Sequence, residues 1–108
     1  MRQAKVIYKN EEAGTLTQLD DGSFVFRYDD AWWRTSDKPA ISLTLPKKQQ
    51  EYRADHLFPF FFHLLPEGAN KEAVCFALRI DKEDHFGLLL QTATHDTIGA
   101  VRIQRTAA

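Results

Sequence analysis

The chain has 108 residues, a length that suits one domain spanning 1–108 and is too short for two. Apolar residues make up 44% and charged residues 27%, and this ordinary globular composition excludes a disordered or fibrous protein. The net charge is −1, with acidic and basic residues mixed along the chain, so the sequence offers no basic surface for direct contact with nucleic acid or an anionic membrane.

The N-terminal segment MRQAKVIYKN lacks the apolar core of a secretory signal. No apolar run approaches the ~20 residues that a membrane-spanning helix needs. The single cysteine, Cys75, cannot form an internal disulfide, and its neighbours in EAVCFAL predict burial as a small apolar side chain rather than reactivity. These features favour a protein of the reducing cytoplasm.

The first half of the chain has the pattern of an antiparallel sheet. Three segments rich in β-branched and aromatic residues are predicted as strands of a meander, with the turn sequence DDG before the last: 4–10, 13–19 and 23–28. The segment DDAWWRTSDKPA then predicts a loop or a short helix. Alternating apolar residues in AISLTLP (40–46) predict a half-buried fourth strand, and KKQQEYR (47–53) is interpreted as a mobile polar connection.

The stretch LFPFFFHLLPEG (57–68) predicts a short helix that begins near Phe58, with Pro59 in its first turn, and ends before Pro66. Its apolar side chains would cover an arc of roughly 200° at ~100° per residue, about twice the stripe that a surface helix needs. One row of the core is expected to consist of Phe58, Phe61, Phe62 and Leu65, flanked by Leu57, Phe60 and Leu64. We expect the end of the helix and the PEG turn to lie at a contact surface.

Two further helices and a strand complete the predicted elements. Asn70 is predicted to cap a helix over 71–80, with an apolar face formed by Val74, Ala77 and Leu78. Asp81 is predicted to cap a third helix over 82–93, whose acidic N-terminus suits the helix dipole. The segment TIGAVRI (97–103) predicts a strand that returns to the sheet. Strands first, about three short helices next and one returning strand make an α+β domain.

Residues that could carry chemistry are few. The five glycines are too scattered to form a phosphate-binding loop, and no kinase catalytic motif is present. His56 and His63 could share a helix face, but two histidines without a third ligand make a poor zinc site. Glu67 could act as a general acid, although an exposed turn carboxylate is the commoner situation. We therefore predict no catalytic, cofactor or metal site, and keep a small enzyme or metal protein as a remote alternative.

The adjacent tryptophans Trp32 and Trp33 leave two interpretations open. Neighbours in an extended segment face opposite ways, so one ring can lie in the core while the other lies on the surface. Alternatively the pair anchors an interface, because tryptophan is favoured at binding hot spots.

Three stretches follow one another along the chain: ISLTLP (41–46), LFPFFFHLLPEG (57–68) and DHFGLLLQTATHDTIGAV (84–101). Together they resemble the N-terminal subdomain of HipA-type serine/threonine kinases. The family pattern is a serine-leucine strand ending in proline, a Phe-Pro-Phe-Phe helix ending in Leu-Leu-Pro-Glu-Gly, an Asp-x-Phe-x-Leu-Leu helix and a Gly-Ala-Val strand. Each motif alone is weak, whereas their order and spacing over nearly the whole chain are specific.

HipA-type kinases continue well beyond this subdomain, whereas this chain ends shortly after GAVRI. The resemblance therefore implies a stand-alone, non-catalytic, HipS-like subunit of a split three-gene toxin–antitoxin system. Its expected partners are a HipA-type kinase toxin that lacks this subdomain and, through the complex, a HipB-like helix-turn-helix protein that binds the operator. The small subunit of such systems can act as the antitoxin by docking on the kinase. The alternative is a stabilising or regulatory subunit of the kinase without inhibitory activity of its own.

The resemblance also implies where the kinase is met. The expected contact residues are Leu65, Pro66, Glu67, Gly68, Ala69, Asn70, Lys71, Trp32 and Trp33. Many relatives carry an aromatic residue, often tryptophan, directly after the Pro-Glu-Gly turn, where this chain has Ala69. We therefore expect Asn70, Lys71 or the loop with the two tryptophans to reach the kinase instead.

Overall fold

The computed structural model describes residues 1–65, 68–92 and 101–105 of the chain. In these residues the elements follow in the order β1 (Arg2–Tyr8), β2 (Glu11–Gln18), β3 (Phe24–Tyr28), α1 (Asp30–Arg34), β4 (Glu51–Ala54), α2 (Pro59–Phe62), α3 (Gly68–Leu78), α4 (His85–Thr92) and β5 (Val101–Arg105). The five described strands form an antiparallel sheet in the order β4-β3-β2-β1-β5. The predicted α+β class is confirmed, as are the meander and the returning strand, which pairs with β1.

Two tight connections make the meander. β1 and β2 are joined through Lys9 and Asn10, whose φ angles of 46° and 70° have the sign that suits the twist of a short hairpin. In the connection between β2 and β3, Gly22 has a φ of 88°, a conformation that glycine adopts without steric cost. These local turns place the three strands side by side in the sheet.

The two faces of the sheet differ. On one face Leu16 and Phe26 are cross-strand neighbours and fully buried. Helices α2 and α4 cover this face: the rings of Phe26 and Phe61 lie 5.7 Å apart, and those of Phe24 and Phe86 lie 6.3 Å apart. The opposite face carries polar and charged side chains at neighbouring positions, among them Lys5, Thr15, Arg27 and Arg53.

The predicted strand over 40–46 is wrong. The segment is folded into turns, so Ile41 and Leu45 enter the core while Leu43 between them is 98% exposed. The hydroxyl of the buried Tyr28 accepts from the Ile41 amide at 3.1 Å and donates to the Leu45 carbonyl, and burial raises the pKa of this hydroxyl. The strand that pairs with β3 is β4, which lies partly within the segment predicted to be a mobile connection. The alternating apolar residues of 40–46 therefore belong to turns packed on Tyr28 and not to a strand.

Helix α2 begins where the sequence indicates and ends early. Pro59 is its first residue, as predicted, because proline tolerates the first turn. Beyond the helix, the amides of residues 64 and 65 donate three residues back at 3.1 Å, so tighter turns continue the chain. Phe62 is 42% exposed and lies against His85, and its predicted place in the core row is wrong. The other members of that row are buried: Phe58, Phe61 and Leu65.

Helix α3 differs from its prediction at both its start and its buried face. It begins at Gly68, so Asn70 lies in its first turn rather than at the cap. Cys75 is buried, as predicted, and Val74 is partly buried against the core, whereas the other two residues of the predicted apolar face are exposed, so only part of that face meets the core. None of the helices in the described part of the chain is long and apolar enough to cross a membrane.

Helix α4 is capped by Asp84 rather than by Asp81. The Gly87 amide donates to the Asp84 carboxylate at 3.1 Å. The carboxylate of Asp81 instead accepts from the Glu83 amide at 2.9 Å, within the turn before the helix. The acidic run therefore supplies one turn and one cap.

Candidate partner-binding surface

The candidate surface lies around the junction between α2 and α3. Leu65, the last residue described before the junction, is buried and belongs to the core. Pro66 and Glu67 lie outside the described residues. Directly after them, Gly68 and Ala69 begin α3. The junction is therefore held at one end by core packing and at the other by a helix start.

Polar and aromatic side chains flank this junction. In the first turn of α3, Asn70 is exposed and Lys71 is half-buried. On the α2 side, Phe62 exposes part of its ring, and the ring centroids of Phe62 and His85 lie 5.2 Å apart. The combination of an amide, an ammonium and an aromatic ring on the two sides of the junction resembles the mixed composition of a protein interface.

The two tryptophans of α1 are not equivalent. Trp32 is 4% exposed, its indole N–H donates to the Pro39 carbonyl at 2.9 Å, and its ring packs edge-on against Tyr8 at 5.5 Å. Trp33 is half-buried and stacks against Tyr28 at 6.4 Å. The arrangement agrees with the interpretation of one ring in the core and one at the surface, so Trp33 has more ring area than Trp32 to present to a partner.

The segment after α1 is held by a lysine to which the sequence analysis gave no role. The Lys47 ammonium donates to the backbone carbonyls of Trp32, Thr35 and Lys38, each at 2.8 Å. Cationic side chains commonly satisfy carbonyls at a helix C-terminus in this way. Trp33 is therefore carried by an ordered segment.

An ion pair fixes the start of α4. Arg2 donates to the Asp84 carboxylate from Nη1 at 3.1 Å and from Nη2 at 2.6 Å, and these bonds hold the pKa of Asp84 below its usual range. Gly87 leaves room for this carboxylate, because a Cβ added there would lie 2.9 Å from the carboxyl carbon. The pair therefore sets the position of His85, and with it the ring against which Phe62 packs.

A cavity of about 450 Å³ opens near this ion pair. Its walls include Asp55, His56, Phe62, Glu83 and His85. His85 rather than His63 shares the cavity with His56, so the pairing of histidines considered from the sequence is not the one that the fold brings together. Within the described ranges, no group of three or more His, Cys, Asp and Glu side chains is placed to hold a metal ion.

The sequence profile of the HipA N-terminal domain matches residues 4–104. The chain belongs to the HipA N-terminal domain family. A solved structure of the N-terminal domain of HipA toxin has the same fold, with a TM-score of 0.73 and 32% identity, and the match covers 98% of this chain and 93% of that chain. The resemblance inferred from the three motifs is confirmed.

Curated relatives of this HipA N-terminal domain differ in length. An uncharacterized protein of Haemophilus influenzae is 35% identical over 104 residues, which are 96% of this chain and 92% of that protein. Putative kinase Y4mE of Sinorhizobium fredii is 28% identical over 103 residues, which are 95% of this chain and 24% of Y4mE. The chain therefore spans nearly the whole of one relative and about a quarter of the other.

The family motifs in this HipA N-terminal domain mainly build the core and its caps. Asp84 caps α4, and Phe86, two residues later, is fully buried against the sheet. Val101 of the Gly-Ala-Val motif is buried in β5. The buried motif residues are therefore unavailable to a partner, and candidate contacts remain at the PEG end of the second motif and outside the motifs.

One exposed aromatic residue was missed by the sequence analysis. Phe76, in the middle of α3, is 89% exposed. The signal that could have found it is the spacing of Ala73, Phe76 and Ala77, which places these three side chains on one face of a helix. Cys75, a buried residue of α3, lies on the other side of the helix.

Proposed function

We propose that this chain is a non-catalytic antitoxin that binds, as a separate subunit, a HipA-type serine/threonine kinase lacking this domain and neutralises it. The observation that carries the proposal is the contrast in coverage between two relatives: the domain is about a quarter of Y4mE and nearly all of the Haemophilus influenzae protein. A domain that occurs in both settings keeps, when separate, the surface against which the rest of the longer protein packs. Such a surface allows the partner to be bound again as a subunit.

The proposed kinase contact includes the junction 65–71 and Trp33, with Trp32 supporting Trp33 from the core. Asn70 and Lys71 offer a hydrogen-bonding amide and a positive charge beside Ala69, the position where relatives often carry an aromatic residue. A helix-turn-helix protein of the HipB type completes the proposed complex and supplies the contact with operator DNA. The net charge of this chain is −1, so it carries no overall excess of basic residues for that contact.

Co-expression with a HipA-type kinase that lacks this domain tests the proposal. A tag on the kinase should retrieve this protein, growth inhibition by the kinase should be relieved, and phosphate transfer from ATP by the purified kinase should fall as this protein is added. If the kinase does not retrieve this protein and its toxicity is not relieved, the proposal is refuted. Retrieval without any fall in kinase activity would replace neutralisation by the stabilising or regulatory role.

A double substitution tests the contact region. Replacing Glu67 and Lys71 together with glutamine should weaken kinase binding without lowering the melting temperature, because the proposed contacts are made with the partner. The matched control is the same pair of changes at Glu51 and Arg53, an exposed ion pair of 3.3 Å on the edge strand β4. A lower melting temperature with unchanged binding would assign Glu67 and Lys71 to the fold instead.

A further inference from the structure

Helix α3 carries an apolar face that is exposed in the described structure. Ala73, Phe76 and Ala77 are exposed, and their spacing places them on one side of the helix. Cys75 is buried on the other side, where Val74 is partly buried against the core. The helix is therefore apolar on both sides, whereas a helix at the surface of a monomeric domain usually turns a polar face to water.

A groove runs beside the exposed phenylalanine. It has a volume of about 520 Å³, its apolar walls are Cys75, Phe76 and Ile80, and charged residues stand around it: Glu72, Asp81 and Lys82. An apolar centre with a charged edge is the usual build of a protein interface. The outer face of the sheet, in contrast, presents polar and charged residues such as Lys5 and Arg27.

We propose that the face formed by Ala73, Phe76 and Ala77 docks in an apolar pocket of the kinase, with Phe76 as its anchor. This inference rests on the proposed function and names the surface that the kinase covers. In Y4mE the matching domain accounts for 24% of the chain, so a much longer polypeptide is present to cover the same face. In this chain the corresponding face is exposed in the described structure.

The face is continuous with the candidate contact at the α2–α3 junction. Phe76 lies eight residues after Gly68 on the same helix, a distance of about 12 Å at 1.5 Å per residue. One partner surface can therefore cover the junction, the first turn of α3 and Phe76 together.

A second copy of the chain fits the face less well. A buried phenylalanine contributes about 150–250 Å². Even with the two alanines, the face remains well below the ~800 Å² per partner of a stable interface. A kinase that also contacts the junction reaches a larger continuous area than two copies of this face would.

The test compares the kinase affinities of the intact chain and of variants that place a charge on the face. Phe76→Glu and Ala73→Glu should each raise the Kd for the kinase at least about tenfold, as expected for a charge placed at the centre of an apolar contact. The control, Thr15→Glu, adds the same charge on the outer face of the sheet, between its cross-strand neighbours Lys5 and Arg27. Its Kd should equal that of the unmodified chain. Thermal melts of all variants check folding, and the two face variants provide independent readings.

Each outcome decides a different point. Binding by the unmodified chain with equal Kd for both face variants would overturn this inference and leave the proposed function standing. No binding by the unmodified chain would overturn both. Light scattering measures the oligomeric state of the chain. A dimer that Phe76→Glu dissociates, with kinase binding unchanged, would assign the face to a second copy.

Discussion

Replacing Asp84 with asparagine should destabilise the domain by removing one charge from the Arg2–Asp84 pair while keeping a good capping side chain. Both side chains are part-exposed, at 41% for Arg2 and 34% for Asp84, so the ion pair should contribute about 0.5–1 kcal/mol. Alanine at the same position also loses the hydrogen bond from the Gly87 amide, which adds about 1 kcal/mol. For a domain of this size, each kcal/mol lowers the melting temperature by roughly 4–8 °C.

The effect of Asp84→Asn should depend on pH in a defined direction. The hydrogen bonds from Arg2 lower the pKa of Asp84 in the folded state. The stabilisation is therefore fully present above the unfolded pKa of about 3.9 and is lost as the pH falls through the folded-state pKa. The difference in free energy of unfolding between the unmodified chain and Asp84→Asn should be constant between about pH 5 and 7 and shrink toward zero below about pH 4.

Urea denaturation followed by tryptophan fluorescence measures this difference, because the buried ring of Trp32 reports on unfolding. Glu83→Gln is the control, since it removes an exposed charge next to Asp84 without removing the pair. A midpoint for Asp84→Asn equal to that of the unmodified chain at neutral pH would refute the reasoning. A difference that keeps its full size in acid would refute it as well, because it could not then arise from the ionised carboxylate.

Three further substitutions test other contacts. Tyr28→Phe leaves two buried backbone groups of the segment 41–45 without their partner and should cost about 2–4 kcal/mol in chemical denaturation, and an unchanged midpoint would show that the segment repacks. Gly87→Ala should destabilise the domain although alanine is the better helix former, because the new Cβ would displace the Asp84 carboxylate. In an Asp84→Ala background the same change should become neutral or stabilising. Equal destabilisation in both backgrounds would contradict the explanation. Lys47→Met keeps the aliphatic stem but removes the donor to three carbonyls, and we expect a loss of about 1–3 kcal/mol by thermal melting, whereas a melting temperature equal to that of the unmodified chain would place the ammonium in solvent.

Sequence patterns predicted the fold where local geometry decides. The hairpin between β1 and β2 needs residues that accept positive φ, and Asn10 is one of them. Proline is tolerated in the first turn of a helix but not in its interior. Pro59 therefore located the start of α2 to within one residue. The order of the motifs identified the family, because that order is carried by the sequence itself.

Prediction of the candidate site was less complete. The sequence drew attention to the junction after α2 and to the tryptophan pair, but it could not distinguish Trp32 from Trp33. That difference depends on Pro39 and Tyr8, which reach Trp32 only in the folded domain. Phe76 was missed because its neighbours in EAVCFAL are equally apolar, and the choice of which side of α3 is covered belongs to its packing.

The amino-acid sequence by itself determined the α+β class, the meander and the helix start at Pro59, because turn chemistry and alternation act over a few neighbouring residues. It also determined the family, because the order of the motifs is written along the chain. Only the tertiary structure decided that 40–46 packs as turns on Tyr28 and that Phe76 is exposed. It also decided that α4 is capped by a residue paired with Arg2, 82 positions away in the sequence. Burial and ion pairing of this kind depend on segments that are distant in the sequence coming together in space. A pattern read along the chain does not show which distant residues meet.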